Sequence, residues 1–393
     1  MSSTSLSASE LKAAASLSVV FFLRMLPLFM LLPVLSLAGE SYQSSTPQLL
    51  GLALGIYGLT QACLQIPFGM LSDRYGRKPI ICLGLIIFIL GSLIAATSDS
   101  IYGLIFGRAL QGAGAVAAAI MALAADLSTE QNRSKIMACI GISIGISFSV
   151  AFVLGPLLYS YIGINGLFYL GICLAIFAIV TLLTIVPNAT DNAGRNKHAI
   201  SLESFKSVIS NTHLIKLNIS IFTSHLILMA NFVVMPITLR DLVQLAPTAH
   251  WQVYLGVLFA SLFIMVPFII FSERLKKVEL FFMVSIILIS LSQIGLVFFN
   301  ANLILLILCL FFFFGAFNFL EASLPSEVSK KTHIETKGTA LGIYSSSQFI
   351  GIFVGGLLGG VFQQQFGISS VHLFCLFAAL LWLIVVSLKP FKN

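Results

Sequence analysis

Twelve apolar stretches, each about 20 residues long and set apart by short polar breaks, leave this chain few folds to choose from. They begin near Leu17, Leu50, Ile80, Ile101, Lys135, Gly166, Leu214, Trp251, Leu280, Leu303, Thr339 and Val371. A bilayer core of about 30 Å takes roughly 20 apolar residues per helix, and the lack of polar/apolar alternation argues for helices over barrel strands. Hydrophobic residues make up 58% of the chain and charged residues 9%; a soluble domain carries about 25% charged residues, so a soluble globule is excluded. The sequence therefore reads as an all-α polytopic membrane protein with twelve transmembrane helices. No cleavable leader is expected, because the first apolar stretch runs long and contains Arg24.

The basic residues set the expected threading. Of 21 lysines and arginines, Arg240 alone falls in an outward loop, and Arg24 and Arg108 lie inside spans, if the amino terminus is cytoplasmic; the remaining 18 then lie inward. The positive-inside rule thus places both termini in the cytoplasm. It makes the net charge of +7 a matter of topology and anionic headgroups, with no nucleic-acid partner implied. The six cysteines lie in or at the ends of spans without paired spacing, which suggests neither disulfides nor a metal site.

Residues 188–212 are the longest polar stretch, so the chain divides into an N-terminal six-helix half (1–187), a cytoplasmic linker (188–212) and a C-terminal six-helix half (213–393). Ser201 to Ser210 reads either as a short surface helix, with Leu202, Phe205 and Val208 on one face, or as disordered linker. An internal repeat supports the division. Ser72-Asp73-Arg74 after the second span is matched 200 residues later by Ser272-Glu273-Arg274 after the eighth, a degenerate copy without the glycines. Glycine-rich spans also recur: Gly141, Gly145 and Gly155-Pro156 in the fifth, and Gly351, Gly355, Gly356, Gly359 and Gly360 in the eleventh. Small residues at this spacing let helices approach closely. Paired features in two halves are the mark of a transporter built from repeats, with its substrate site between them.

Three motifs carry a resemblance to a known family. Gly69-Met-Leu-Ser-Asp73-Arg74-Tyr-Gly76-Arg77-Lys78 resembles the loop motif of the major facilitator superfamily, and Arg108-Ala-Leu-Gln111-Gly112-Ala-Gly114 its fourth-span motif. Leu154-Gly155-Pro156 resembles the fifth-span motif of its drug:proton antiporters, with Ala151 standing where a glycine is usual. Details around Arg24, Asn318 to Pro325 and Gly338 to Ser345 are similar to a YajR-like subgroup. Some of its members carry a soluble domain after the last span; none follows before Asn393, so regulation through one is not expected. The resemblance implies the two-half major facilitator fold, a monomer, and rocking of the halves about a central cavity lined by the first, fourth, seventh and tenth helices.

The loop also has a mechanical reading. Asp73 closes the second helix, and the eleventh should begin nearby at Gly338, presenting free N–H groups and the positive end of its dipole. Such a contact is worth about 0.3–1 kcal/mol, and up to about 2 kcal/mol when partly buried. At 1.4 kcal/mol per tenfold it could bias the protein outward-facing. By the resemblance, Arg77 pairs with Asp126 and orients Asp73, with Gly69, Arg74 and Gly76 completing the conformational switch. Gly155 and Pro156 are the expected hinge or packing pair.

Intramembrane ionisable groups mark functional positions by default. Arg24 and Glu321, about 10 Å and 6 Å from the cytoplasmic edge, are expected to face the cavity and pair across the halves, with Glu321 a candidate proton carrier; snorkelling to the headgroups is the other reading. Arg108, about 10 Å below the outer surface, either braces helix ends or acts on a proton site. His225, near the middle of the seventh span, is the side chain best suited to bind and release H⁺, or else a neutral histidine bonded to a neighbouring helix. Gln61, Gln65, Gln111, Asn231, Asn318 and Gln348 are cavity candidates, with interhelical bonding the commoner role. Of 34 phenylalanines, Phe317 and Phe319 are the ones weighed as ligand contacts, with core packing the more frequent use.

No Walker-type loop, nucleotide fingerprint or metal-ligand cluster is present in the sequence. Neither an enzyme nor a cofactor is therefore expected, and uphill transport would draw on a gradient, one proton through 100 mV supplying about 2.3 kcal/mol. The reading is a secondary transporter in a bacterial inner or plasma membrane, exporting a small, partly hydrophobic compound or drug in exchange for protons. The alternatives are a same-fold importer or facilitator of a polar metabolite, and a transport-dead membrane sensor.

Overall fold

The computed structural model describes residues 6–188, 202–332 and 336–388. Among these, 11 helices are long and apolar enough to cross a membrane. One of them, Arg133–Thr184, has 52 residues, about 78 Å at 1.5 Å per residue and more than twice a bilayer core. Gly163 interrupts it with φ 66° and ψ −175°, a backbone conformation that glycine alone adopts readily. Two spans meet there, so the chain makes twelve crossings. We label them α1 (Ala8–Met30), α2 (Pro47–Tyr75), α3 (Arg77–Thr97), α4 (Ile101–Asp126), α5 and α6 (Arg133–Thr184 before and after Gly163), α7 (Thr212–Leu242), α8 (Pro247–Arg274), α9 (Val278–Phe299), α10 (Leu303–Lys330), α11 (Lys337–Phe366) and α12 (Ile368–Ser387).

Local sequence explains the helix ends. Ser7 and Glu10 form a capping box that starts α1 well before the apolar stretch. Glu10 also accepts from the Thr129 N–H (3.0 Å), Thr129 Oγ1 (2.7 Å) and Asn132 Nδ2 (3.0 Å), tying that helix start to the α4–α5 loop. Each half anchors the end of its last helix with a lysine: Lys78 Nζ donates to Val186 O at 2.7 Å, and Lys216 Nζ to Val386 O at 2.8 Å. Of the linker, the described part forms a helix, Leu202–Ser210, with Val208 buried; residues 189–201 lie outside the described residues.

The α2–α3 loop with its charges defines a basic end of the bundle. At the opposite end the halves meet closely. A Cβ on Gly356 of α11 would sit 2.6 Å from Gly51 O of α2, and one on Gly360 2.6 Å from Pro47 O. Ser36 Oγ donates to Phe232 O at 3.1 Å, and Phe152 of α5 packs edge-on to Phe232 and Tyr254 of the other half, with ring centroids 4.8 Å and 5.6 Å away. At the basic end the pattern reverses. A Cβ on Gly338 or Gly342 of α11, or on Gly141 or Gly145 of α5, would meet nothing within 4 Å. Of the fifth-span glycines, Gly141 and Gly145 thus line no tight seam in this conformation, whereas Gly155 does: its Cβ would lie 2.5 Å from Met30 O of α1. The halves are bonded to each other at the end opposite the basic loop, while at the basic end Gly338 and Gly342 have open space around them.

Candidate transport site

Three polar residues from three helices of the C-terminal half converge midway along the bundle. His225 stands about 20 Å along α7 from Thr212, and Glu321 about 14 Å along α10 from Lys330. The His225 ring is 5% exposed, since Phe317 covers it at 5.3 Å. Its Nδ1 lies 3.2 Å from Ile221 O. A carbonyl can only accept, so Nδ1 carries a proton, and when the ring is neutral Nε2 is the bare nitrogen. Gln348 Nε2, from α11, lies 2.8 Å from that nitrogen and 3.3 Å from Glu321 Oε1. Glu321 Oε2 is 3.6 Å from His225 Nε2, and the Glu321 side chain is 41% exposed. A half-exposed carboxyl thus lies beside a buried imidazole, with an amide bridging them.

The arginines behave differently from the sequence expectation. Arg24 is 2% exposed and turns into the N-terminal half, away from Glu321. The fourth span is broken at Gly114 to Val116, between the helices Ile101–Ala113 and Ala117–Asp126. The break frees carbonyls that an intact helix would use. Arg24 Nη2 donates to Gln111 O at 3.0 Å and to Gly114 O at 3.2 Å, with its guanidinium 4.2 Å from the Phe88 ring centroid. The expected Arg24–Glu321 pair is thus not formed; backbone left unpaired in an apolar bundle draws the guanidinium to itself. Arg108 is fully buried and donates to Ala53 O (3.2 Å) on α2 and to Gln111 Oε1 (2.7 Å), while Gln111 Nε2 donates to Ser92 Oγ (2.9 Å). This is the bracing reading of Arg108, applied to mid-helix carbonyls, and it engages both ends of Gln111 inside the N-terminal half.

The remaining candidates divide. Asn318 Nδ2 donates to Ser261 Oγ at 3.0 Å, and Asn231 Oδ1 meets His372 Nδ1 at 3.1 Å, both as links between helices. The Oε1 atoms of Gln61 and Gln65 are buried with no partner among the described residues. Phe319 is core, packed on Phe268 and Phe282. His372, fully buried in α12, was missed from sequence; its signal was an ionisable residue inside an apolar span.

At the basic end Arg77 organises the loop. Nε donates to Asp126 at 2.8 Å, Nη1 to Ser72 Oγ at 2.8 Å, and Nη1 lies 2.5 Å from Asp73. Gly76 takes φ 97°, which explains its glycine; a Cβ on Gly69 would meet only Ala118 at an ordinary 3.6 Å. Arg74 lies over the Tyr75 ring. The Asp73 side chain is 64% exposed and Gly338 has open space around it, so the Asp73–helix contact is not made in this conformation. The repeat is visible in the backbone: Lys276, 200 residues after Gly76, also has positive φ (52°). Glu279 and Lys331, 3.3 Å apart, join α9 to α10 as Arg77 and Asp126 join α3 to α4, with the signs exchanged.

Twelve spans, bonded across at one end and holding a polar cluster partway along their length, have the build of a membrane transporter. The sequence profile of the Major Facilitator Superfamily matches residues 17–323 and 217–392, and the chain belongs to that family. It is 44% identical over 378 residues to the inner membrane transport protein YajR of Escherichia coli (strain K12), covering 96% of this chain and 83% of that protein. It is 38% identical over 349 residues to an uncharacterized transporter of Buchnera aphidicola subsp. Acyrthosiphon pisum, covering 88% and 89%. Among solved structures, the nucleoside transporter NupG (TM-score 0.74, 16% identity, covering 95% of this chain and 98% of that one) and the human organic anion transporter MFSD10 (0.71, 18%, 96% and 99%) share the fold.

Proposed function

We propose that this transporter exports a small, partly hydrophobic compound in exchange for protons, by alternating access in a bacterial inner membrane, with its basic end and both termini in the cytoplasm. The observation that carries the proposal is the His225–Gln348–Glu321 cluster. In this reading a proton arriving on Glu321 passes to His225 Nε2. The imidazolium then has no acceptor site for the Gln348 N–H, so that amide must turn or withdraw, and an ion pair with Glu321 takes its place. Because Gln348 belongs to α11, which packs on both α2 and α7, the exchange of partners bears on the helix that joins the halves. In this orientation the described conformation is inward-facing, and Asp73 docking on the start of α11 belongs to the outward-facing one.

The test is luminal pH in proteoliposomes with an acid interior, while lipophilic cations, neutral drugs, sugars and organic anions are added outside. Compound-dependent proton efflux that vanishes in His225→Ala and Glu321→Gln supports proton exchange through the cluster. Compound uptake with no proton movement, in folded protein, overturns it in favour of a facilitator.

A further inference from the structure

We infer that Glu40 and Arg240 form a latch that holds the halves together at the end opposite the basic loop, as the positioning pair for that closed state. The inference rests on alternating access as proposed above. Glu40 sits on the turn Gly39–Ser41 that follows α1, and Arg240 on a π-helical turn, Thr238–Leu242, at the end of α7. Arg240 Nη1 donates to Glu40 Oε2 at 2.6 Å and Nη2 to Oε1 at 2.9 Å. Two parallel bonds between a planar guanidinium and a carboxylate constrain direction as well as distance. Asp241 holds the guanidinium from its other edge, with Nε to Oδ1 at 2.5 Å and Nη2 to Oδ2 at 3.0 Å.

Three features separate this pair from an ordinary surface ion pair. Its members are 200 residues apart and belong to different halves, so it can form only when that end is closed. It continues the seam made by Ser36 on Phe232 O and by Gln48 N–H on Gln364 Oε1, and it is the ion pair of that seam among the described residues. A π-turn places an extra residue in the helix, a local irregularity found mostly at functional sites; here it carries the arginine that reaches across. In contrast to the apolar and backbone contacts beneath it, the pair is broken by a single isosteric change. The two ends of the molecule then have opposed charged devices: Asp73 against the start of α11 at one, Glu40 with Arg240 at the other, each made only where the other is parted.

Hydrogen–deuterium exchange of the full-length protein in lipid nanodiscs tests this without substrate or protons. In Glu40→Gln, Arg240 keeps Asp241, so no bare charge is created. The expected result is exchange roughly two- to fivefold faster in segments 39–50 and 238–250, with slower exchange in 70–79 and 336–345 as the basic end closes. Reversing the pair, Glu40→Arg with Arg240→Glu, is expected to return both regions toward the parent, and Arg240→Lys, which lacks the fork, to behave like Glu40→Gln. Faster exchange at the latch with no protection at the basic end would make the pair a local staple and overturn the inference, as would no change at all. Failure of proton coupling in liposomes would leave these results untouched and count against the proposed function alone.

Discussion

The Nε2 of His225 and the Oε2 of Glu321 lie 3.6 Å apart, one on a buried ring and the other a buried oxygen of a half-exposed side chain. That separation is too long for a formed hydrogen bond and close to the distance at which one forms. Gln348 occupies the gap meanwhile.

Gln348→Ala removes the amide that satisfies the neutral ring, a hydrogen bond of about 1 kcal/mol net. Compound-coupled proton movement is expected to fall roughly five- to tenfold, with folding intact. Equal coupling in parent and variant, measured in the same liposomes, would remove Gln348 from the relay.

Asp73→Asn keeps shape and hydrogen-bonding capacity while deleting the charge that pairs with Arg77 here and that is proposed to dock on the start of α11 in the other conformation. Transport is expected to drop about tenfold or more, in line with a contact worth up to about 2 kcal/mol, and binding of a transported compound is expected to persist. A variant that transports like the parent would show that the charge has no part in the cycle.

Arg24→Ala leaves Gln111 O and Gly114 O without donors in a dry bundle. Each orphaned carbonyl costs about 1–3 kcal/mol, less whatever is regained by removing a buried cation. The unfolding midpoint in detergent is therefore expected to fall clearly below that of Arg274→Ala, whose side chain is exposed. Matching midpoints would mean that Arg24 does not cap the α4 break.

Gly356→Ala places a methyl 2.6 Å from Gly51 O and 2.9 Å from the Gly55 backbone, atoms that cannot step aside. This variant is expected to lose the conformation described here, read as low transport and low thermal stability, whereas Gly342→Ala is expected to leave the stability of this conformation unchanged. Wild-type stability in Gly356→Ala would place the α2–α11 seam further apart than described.

Much of this was legible in the sequence because membrane helices are written in long apolar runs: the all-α fold of twelve spans stands as read, and the expected Arg77–Asp126 contact is formed. What was not legible is rotation. The depth of Arg24 along α1 follows from counting, but the side of the helix it leaves from does not, and α4, broken at Gly114, captured it. The break had a signal in Gly112-Ala-Gly114, yet glycines within a span mark close packing as often as a kink. His225, Glu321 and Gln348 were each visible as a polar residue in an apolar run; that they share one site depends on the rotation of three helices that the sequence leaves free. Glu40 and Arg240 are paired by the closure of the whole bundle, which local pattern does not encode.

The bare faces of Gly141, Gly145, Gly338 and Gly342 bear on speed. A surface of long side chains must freeze many rotamers to dock and release them to part, at up to about 2 kcal/mol for each flexible group. Glycine has none to freeze. If the halves rock as proposed, these glycine faces can meet and leave a partner with little side-chain re-sorting, and the few charged contacts at either rim set the tempo.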